Sequence, residues 1–158
     1  SIAPPTRVAT LVFTTEGSSI TDTEMAVWDA DGNLLDEDDD SGYGALSRTT
    51  IEAVVPAVYY VGGSEYATAF GSNFEMSGEG LELGETGTIT FVVNDEVIGT
   101  KLLGDQLSTG LPEYALFRVE IGGNSRILSV EDATSSSMSS ALFFSTATTQ
   151  LRLVEIGE

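Results

Sequence analysis

Between Arg7 and Arg48 this chain has no basic residue, yet Thr21–Gly42 (TDTEMAVWDADGNLLDEDDDSG) carries nine carboxylates: Asp22, Glu24, Asp29, Asp31, Asp36, Glu37, Asp38, Asp39 and Asp40. Ionised groups without counter-charges cannot enter a core, so this stretch must fold with its acids in water. Its apolar residues show how. Met25 and Val27 precede, and Leu34 and Leu35 follow, the turn-forming Asp31-Gly32-Asn33. Apolar alternation on both sides of such a turn predicts a β-hairpin, with one face buried and an acid cluster held on the rest.

The remaining chain repeats this logic without the charge. Arg7–Thr15 alternates well enough for a strand, with Val8, Leu11 and Phe13 as buried candidates. Arg48–Val55 is a β-branched strand stopped by Pro56, and Val58–Val61 a short one ended by Gly62-Gly63. Ala67–Met76 reads as a strand or an ordered loop interrupted by Gly71. Thr88–Val93 is a strand turned by Asn94-Asp95, and Thr100–Gly110 has room for one helical turn. Glu113–Ile121 alternates, Gly122-Gly123-Asn124 turns into Arg126–Val130, and Ala141–Phe144 and Gln150–Ile156 are further strands. Short strands punctuated by turn residues, with no amphipathic helix, predict an all-β fold: an antiparallel β-sandwich, jelly-roll-like. No fixed repeat supports a solenoid. The expected organisation is an extended arm over residues 1–7 and a single sandwich domain over residues 8–158, with Phe13, Val27, Ile51, Tyr60, Phe91, Phe117 and Leu153 inside.

Charge narrows the partners. With 25 acidic residues against five Arg and one Lys, the net charge is −19. Phosphate backbones and anionic membranes would be repelled, so neither nucleic acid nor membrane insertion is expected. No apolar run is long enough for a membrane helix. A medium rich in salt or divalent ions suits such a chain, because screening acts within about 10 Å. Ser1-Ile2-Ala3-Pro4-Pro5 looks like a processed start, and no Asn-x-Ser/Thr sequon occurs, which together favour a secreted prokaryotic protein.

Enzymatic readings fail by absence. Without His or Cys, Ser-His-Asp and Cys-His arrangements and the usual zinc and haem sites are ruled out. A Ser-Lys pair has only Lys101 to draw on, and paired carboxylates for glycoside hydrolysis need two isolated acids in a cleft rather than a solvated crowd. Gly78-x-Gly80-x-x-x-Gly84 lacks the lysine and spacing of a phosphate loop, and Glu79, Glu82 and Glu85 would repel phosphate. No catalytic residue is assigned.

Calcium is the cation that hard oxygen ligands in loops prefer. The candidate ligands are Asp22, Asp29, Asp31, Asp38, Asp39 and Asp40. Asp29-x-Asp31-x-Asn33 imitates the start of an EF-hand loop, but Leu34 stands where that bend requires glycine, so the EF-hand is rejected. A sandwich-loop calcium site and a solvated acidic face with diffuse counterions both stay open. Trp28 and the tyrosines Tyr43, Tyr59, Tyr60 and Tyr66 are candidates for a carbohydrate or peptide platform, with core packing the expectation for Trp28.

Thr21–Val61 resembles the bacterial pre-peptidase C-terminal (PPC) domain and its relatives. The residues that carry the likeness are Asp22-Thr23, Met25–Trp28, Asp29-Ala30-Asp31-Gly32-Asn33-Leu34-Leu35, Asp39-Asp40, Ser47–Ile51 and Tyr59-Tyr60-Val61. The resemblance covers about a quarter of the chain, assigns residues 8–98 to a PPC-like part and leaves 99–158 as an unassigned β extension. It implies a secreted, jelly-roll-like sandwich, usually a non-catalytic appendage of extracellular enzymes, with calcium stabilising related collagen-binding domains. Pro56-Ala57-Val58 replaces the family's glycine before the Tyr-Tyr strand, and its opening Tyr-x-Phe strand is not evident; Tyr114-Ala115-Leu116-Phe117 lies downstream instead.

Two functions follow as expectations. One is a non-catalytic, calcium-stabilised structural subunit outside the cell that self-assembles into a filament, sheath or surface layer, so that its partner is a homo-oligomer or homopolymer. The Ser1–Thr6 arm, anchored by Ile2 and kept out of central strands by its prolines, would lie along a neighbour's sheet edge. The other is a calcium-stabilised accessory domain that binds extracellular polysaccharide or protein.

Overall fold

A computed structural model describes residues 5–135 of the chain, and the fold is an antiparallel β-sandwich. One sheet has four strands in the order β4 (Arg48–Val55), β1 (Arg7–Thr14), β8 (Thr86–Val93), β9 (Glu96–Gly104). The other has five, in the order β11 (Ile127–Asp132), β10 (Ala115–Ile121), β5 (Ala57–Glu65), β2 (Thr23–Asp29), β3 (Leu34–Asp38). A hairpin of β6 (Thr68–Gly71) and β7 (Glu75–Gly78) stands apart from both sheets. One helical turn, α1 (Gln106–Thr109), falls within the expected stretch, capped by Asp105, whose carboxylate accepts from the Ser108 amide. The strands expected at Ala141–Phe144 and Gln150–Ile156, the core position Leu153 and most of the N-terminal arm lie outside the described residues.

The main core lies between the sheets. Ala9, Leu11 and Phe13 of β1, Met25 and Val27 of β2, Ile89, Phe91 and Val93 of β8, and Phe117 and Val119 of β10 all meet there. Period-2 alternation sends these residues inward, and it corrects one expectation: Val8 shares parity with neither Leu11 nor Phe13, and its side chain is exposed on the outer face. Ile51 is partly buried against this core. At Tyr59-Tyr60 the buried ring is Tyr59, whereas Tyr60 packs beside a second cluster.

That second cluster explains why β2 does not look half-polar. Ala26 and Trp28 point away from the main core, yet both are fully buried, under Met76, Tyr114 and Leu116 with Phe70 and Phe74 alongside. The β6–β7 hairpin supplies much of this cover. The Trp28 ring lies 5.9 Å from both Phe70 and Phe74, and its Nε1 donates to the Gly71 carbonyl at 2.7 Å. Trp28 is therefore core, not a ligand platform.

β5 also runs further than its sequence pattern implies, through Gly62 and Gly63 to Glu65. These glycines do not end the strand; they let its neighbours close on it. A Cβ at Gly62 would come within 2.8 Å of the Ala115 carbonyl oxygen, and one at Gly63 would overlap the Glu24 carbonyl oxygen.

Candidate functional site

The expected acidic hairpin is present, paired Met25↔Asp38, Ala26↔Glu37 and Val27↔Asp36. This register separates the six candidate ligands. Asp29 and Asp31 sit at the turn, and Asp22, Asp38, Asp39 and Asp40 toward the far end: Asp38, opposite Met25, is roughly 13 Å from Asp29 along the strands, and Asp22 roughly 23 Å, at about 3.3 Å per residue.

At the turn, Asp29 is engaged by its own loop. Its Oδ1 accepts from the amides of Asp31 and Asn33, each at 2.9 Å, and its Oδ2 accepts from Asn33 Nδ2 at 2.8 Å. The Asp-x-Asp-x-Asn spacing is thus explained by a side chain holding a turn. Asp31 is exposed.

At the far end, Asp38 is engaged in the same way. Its Oδ2 accepts from the amides of Ser41 and Arg48, both at 2.8 Å, and its Oδ1 from the Ser41 hydroxyl at 2.6 Å. Beneath it lies a buried hydroxyl group of three. Thr15 Oγ1 and Thr23 Oγ1 are 2.7 Å apart, and Thr23 Oγ1 and Ser47 Oγ 2.9 Å. The Ser47 hydroxyl also contacts the carbonyls of Thr23 and Asp39 at 2.8 and 2.7 Å. These contacts fix the loop that carries Asp39 and Asp40. The Asp39 carboxyl is held above its usual pKa by partial desolvation and by the charges of Asp40, Asp22 and Asp38. Among the described residues, however, no group of three acids is placed to share one metal ion. The residues present therefore do not form a ready-made calcium cage.

A third acidic place carries no signal in the sequence. Glu65 lies beside a cavity of about 220 Å³ lined also by Ile20, Leu81 and Glu85. Its Oε1 is buried without a hydrogen-bond partner. Desolvation and the charges of Glu85, Glu82 and Asp22 raise its pKa. The Gly78–Gly87 stretch reads as a turn, and only the folded chain brings Glu82 and Glu85 near Glu65.

The most distinctive concavity lies between the edges of the two sheets. β3 and β4 meet where Asp38 accepts from the Arg48 amide, then diverge into a groove of about 550 Å³. Its lining includes Asp29, Leu35, Asp36, Ile51, Ala53 and Tyr59. β4 has a sheet partner on one side only, β1. The direction of its free groups follows from hydrogen bonding. Val12 of β1 turns its main chain toward β8, accepting from the Asn94 amide and donating to Asn94 Oδ1. Its odd-numbered neighbours therefore bond to β4, paired Leu11↔Ile51 and Ala9↔Ala53. Thr50, Glu52 and Val54 are left with N–H and C=O groups directed to the open side. Val54 follows this rule, since its carbonyl accepts from the Tyr59 hydroxyl at 2.7 Å across the groove.

The opposite opening of the sandwich is closed by charge. Lys101, the chain's single lysine, reaches from β9 to Asp132 of β11 at 2.8 Å. Thr134 also donates to Asp132 from its amide. Burial alone would raise the Asp132 pKa, but these bonds outweigh it and the pKa is lowered.

No family model matches this chain, and neither a curated protein nor a solved structure does. The PPC resemblance is thus supported only as far as an all-β fold of two antiparallel sheets.

Proposed function

We propose that this chain is a non-catalytic structural subunit of the cell exterior, one that self-assembles into a filament, sheath or surface layer. The observation that carries this reading is the β4 edge, with main-chain groups directed into a groove floored by Ile51, Ala53 and Tyr59. An unpaired edge beside an apolar floor offers a place for another strand. Edge strands are commonly blunted by charge or shortness. β3, with Asp36, Glu37 and Asp38 in five residues, and β11, sealed by Lys101–Asp132, fit that description; the 50–54 stretch of β4 has one charge, Glu52.

The runner-up is an accessory domain that binds polysaccharide or protein beside a secreted bacterial enzyme, and its support is the PPC-like order of Thr21–Val61. In either role we propose calcium as a stabilising ion at Asp22, Asp38, Asp39 and Asp40. Mutual crowding of these four charges supports it, and a bound ion would require the loop to adjust.

Light scattering across protein concentration, sodium chloride and calcium chloride tests the assembly. Particles that grow as salt or calcium screens the net charge are expected. A chain that stays monomeric throughout would leave the accessory domain.

A further inference from the structure

We propose that the β4 groove receives residues 150–154 (QLRLV) of a second copy as an added strand, an inference that rests on the assembly reading above and names its joint. The acceptor sets the requirements. A strand beside β4 would bond to the main chain of Thr50 and Glu52, short of the Val54 carbonyl that Tyr59 holds, and alternate side chains would enter between the sheets onto Ile51, Ala53 and Tyr59. The groove rim is acidic, with Asp29, Asp36 and Glu52. The occupant must therefore alternate, bring apolar groups on one face and avoid negative charge.

The chain contains one stretch outside the described fold that meets all three conditions. Between Asp132 and Glu155 there is no acidic residue, in a protein with 25 of them. Within that run, Leu151 and Leu153 share one parity, and Gln150, Arg152 and Val154 the other. With the leucines turned inward, Arg152 comes to the outer face, the face on which Glu52 accepts from Thr10. One of the chain's five arginines is thereby set beside an acid that has no cation in the described fold to meet.

The direction of the joint follows from the strand order. The described chain ends just after β11, at one edge of the five-stranded sheet, whereas the groove lies beside β3 at its other edge. Those edges are four strand spacings apart, roughly 19 Å at about 4.8 Å each. A donor that leaves one molecule beside β11 and enters a second beside β3 makes a head-to-tail contact, which repeats as an open chain of subunits.

The chain has no cysteine, so engineered thiols report cleanly. The experiment mixes a Glu52→Cys chain with an Arg152→Cys chain under mild oxidation in assembling salt, using Val97→Cys on β9 as the control acceptor. A disulfide-linked pair from Glu52→Cys and Arg152→Cys, absent with Val97→Cys, is expected. A chain stopped after Ser135 should keep its β circular dichroism and lose assembly. Arg152→Glu should raise the assembly concentration roughly tenfold and Glu52→Arg in the same chain should restore it. Assembly that persists without residues 136–158, or that fails only when residues 1–6 are deleted, overturns this joint while leaving the assembly reading intact. A monomeric double-cysteine chain that closes its own disulfide shows that the segment serves its own groove, and also overturns it. Failure of the wild-type chain to assemble under any condition removes the assembly reading itself.

Discussion

Ser47 is uncharged and fully buried, yet it holds the acidic end of the hairpin in place. Its hydroxyl joins Thr15, Thr23 and the Asp39 carbonyl, so Ser47→Ala leaves buried polar groups without a partner. Such losses cost about 1–3 kcal/mol, and urea melts should read a drop of that size. Acid titration probes the carboxylates in two directions. Glu24, Asp39 and Glu65 have raised pKa values, so their ionisation penalises the fold at neutral pH, and that penalty fades as pH falls toward their ordinary values, 4.5 for the two glutamates and 3.8 for Asp39. Asp132 has a lowered pKa, so its contribution is present above 3.8, its ordinary value, and lost as pH falls further. Melting temperature measured against pH should therefore rise on mild acidification and decline below 3.8. Glu65→Gln should remove part of the rise, and a flat profile would contradict both assignments. At this scale little was legible beforehand. The acids were visible as a crowd, but their separation into two ends depends on the hairpin register, and the hydroxyl group joins residues 15, 23 and 47 through pairing that sequence order does not display.

Strands were more legible than their surroundings. β1, β4, β8 and β10 follow from alternation and β-branched runs, and the Asp31-Gly32-Asn33 turn sits where its residue types demand. Two misreadings share one cause. Hydrophobicity groups Val8 with Leu11 and Phe13 where parity separates them, and Gly62-Gly63 reads as a stop where close neighbours require it. In each case tertiary packing assigns the role. The β6–β7 hairpin is the element that pattern alone hid, because its contribution is a lid over Trp28. Trp28→Ala should cost about 3–5 kcal/mol, measured by chemical denaturation. Gly63→Val should be at least as damaging, since the β2 backbone would have to move away. If Gly63→Val folds with wild-type stability, the tight β2–β5 contact is wrong.

For the whole molecule, a net charge of −19 is self-repelling, and dissolved ions screen it. Calcium binding confined to the folded state would raise the melting temperature by mass action. Replacing Asp39 and Asp40 with Asn should remove the calcium-dependent part, while Asp29→Asn, acting on a turn, should lower stability equally with and without calcium. EDTA that leaves melting unchanged at constant ionic strength would reduce the cluster to a solvated face. The strand order also has a consequence for when this molecule can become itself. β1 waits for β8, and β5 for β10, so neither sheet is complete until residues more than fifty positions downstream have arrived. Pairings of that range fold slowly, in milliseconds to seconds, and until Tyr114 and Leu116 arrive the outer face of β2 lacks part of its cover. A nascent chain would thus hold an incomplete sandwich until its last third emerges, and chains truncated before Ala115 should fail to give a cooperative melt.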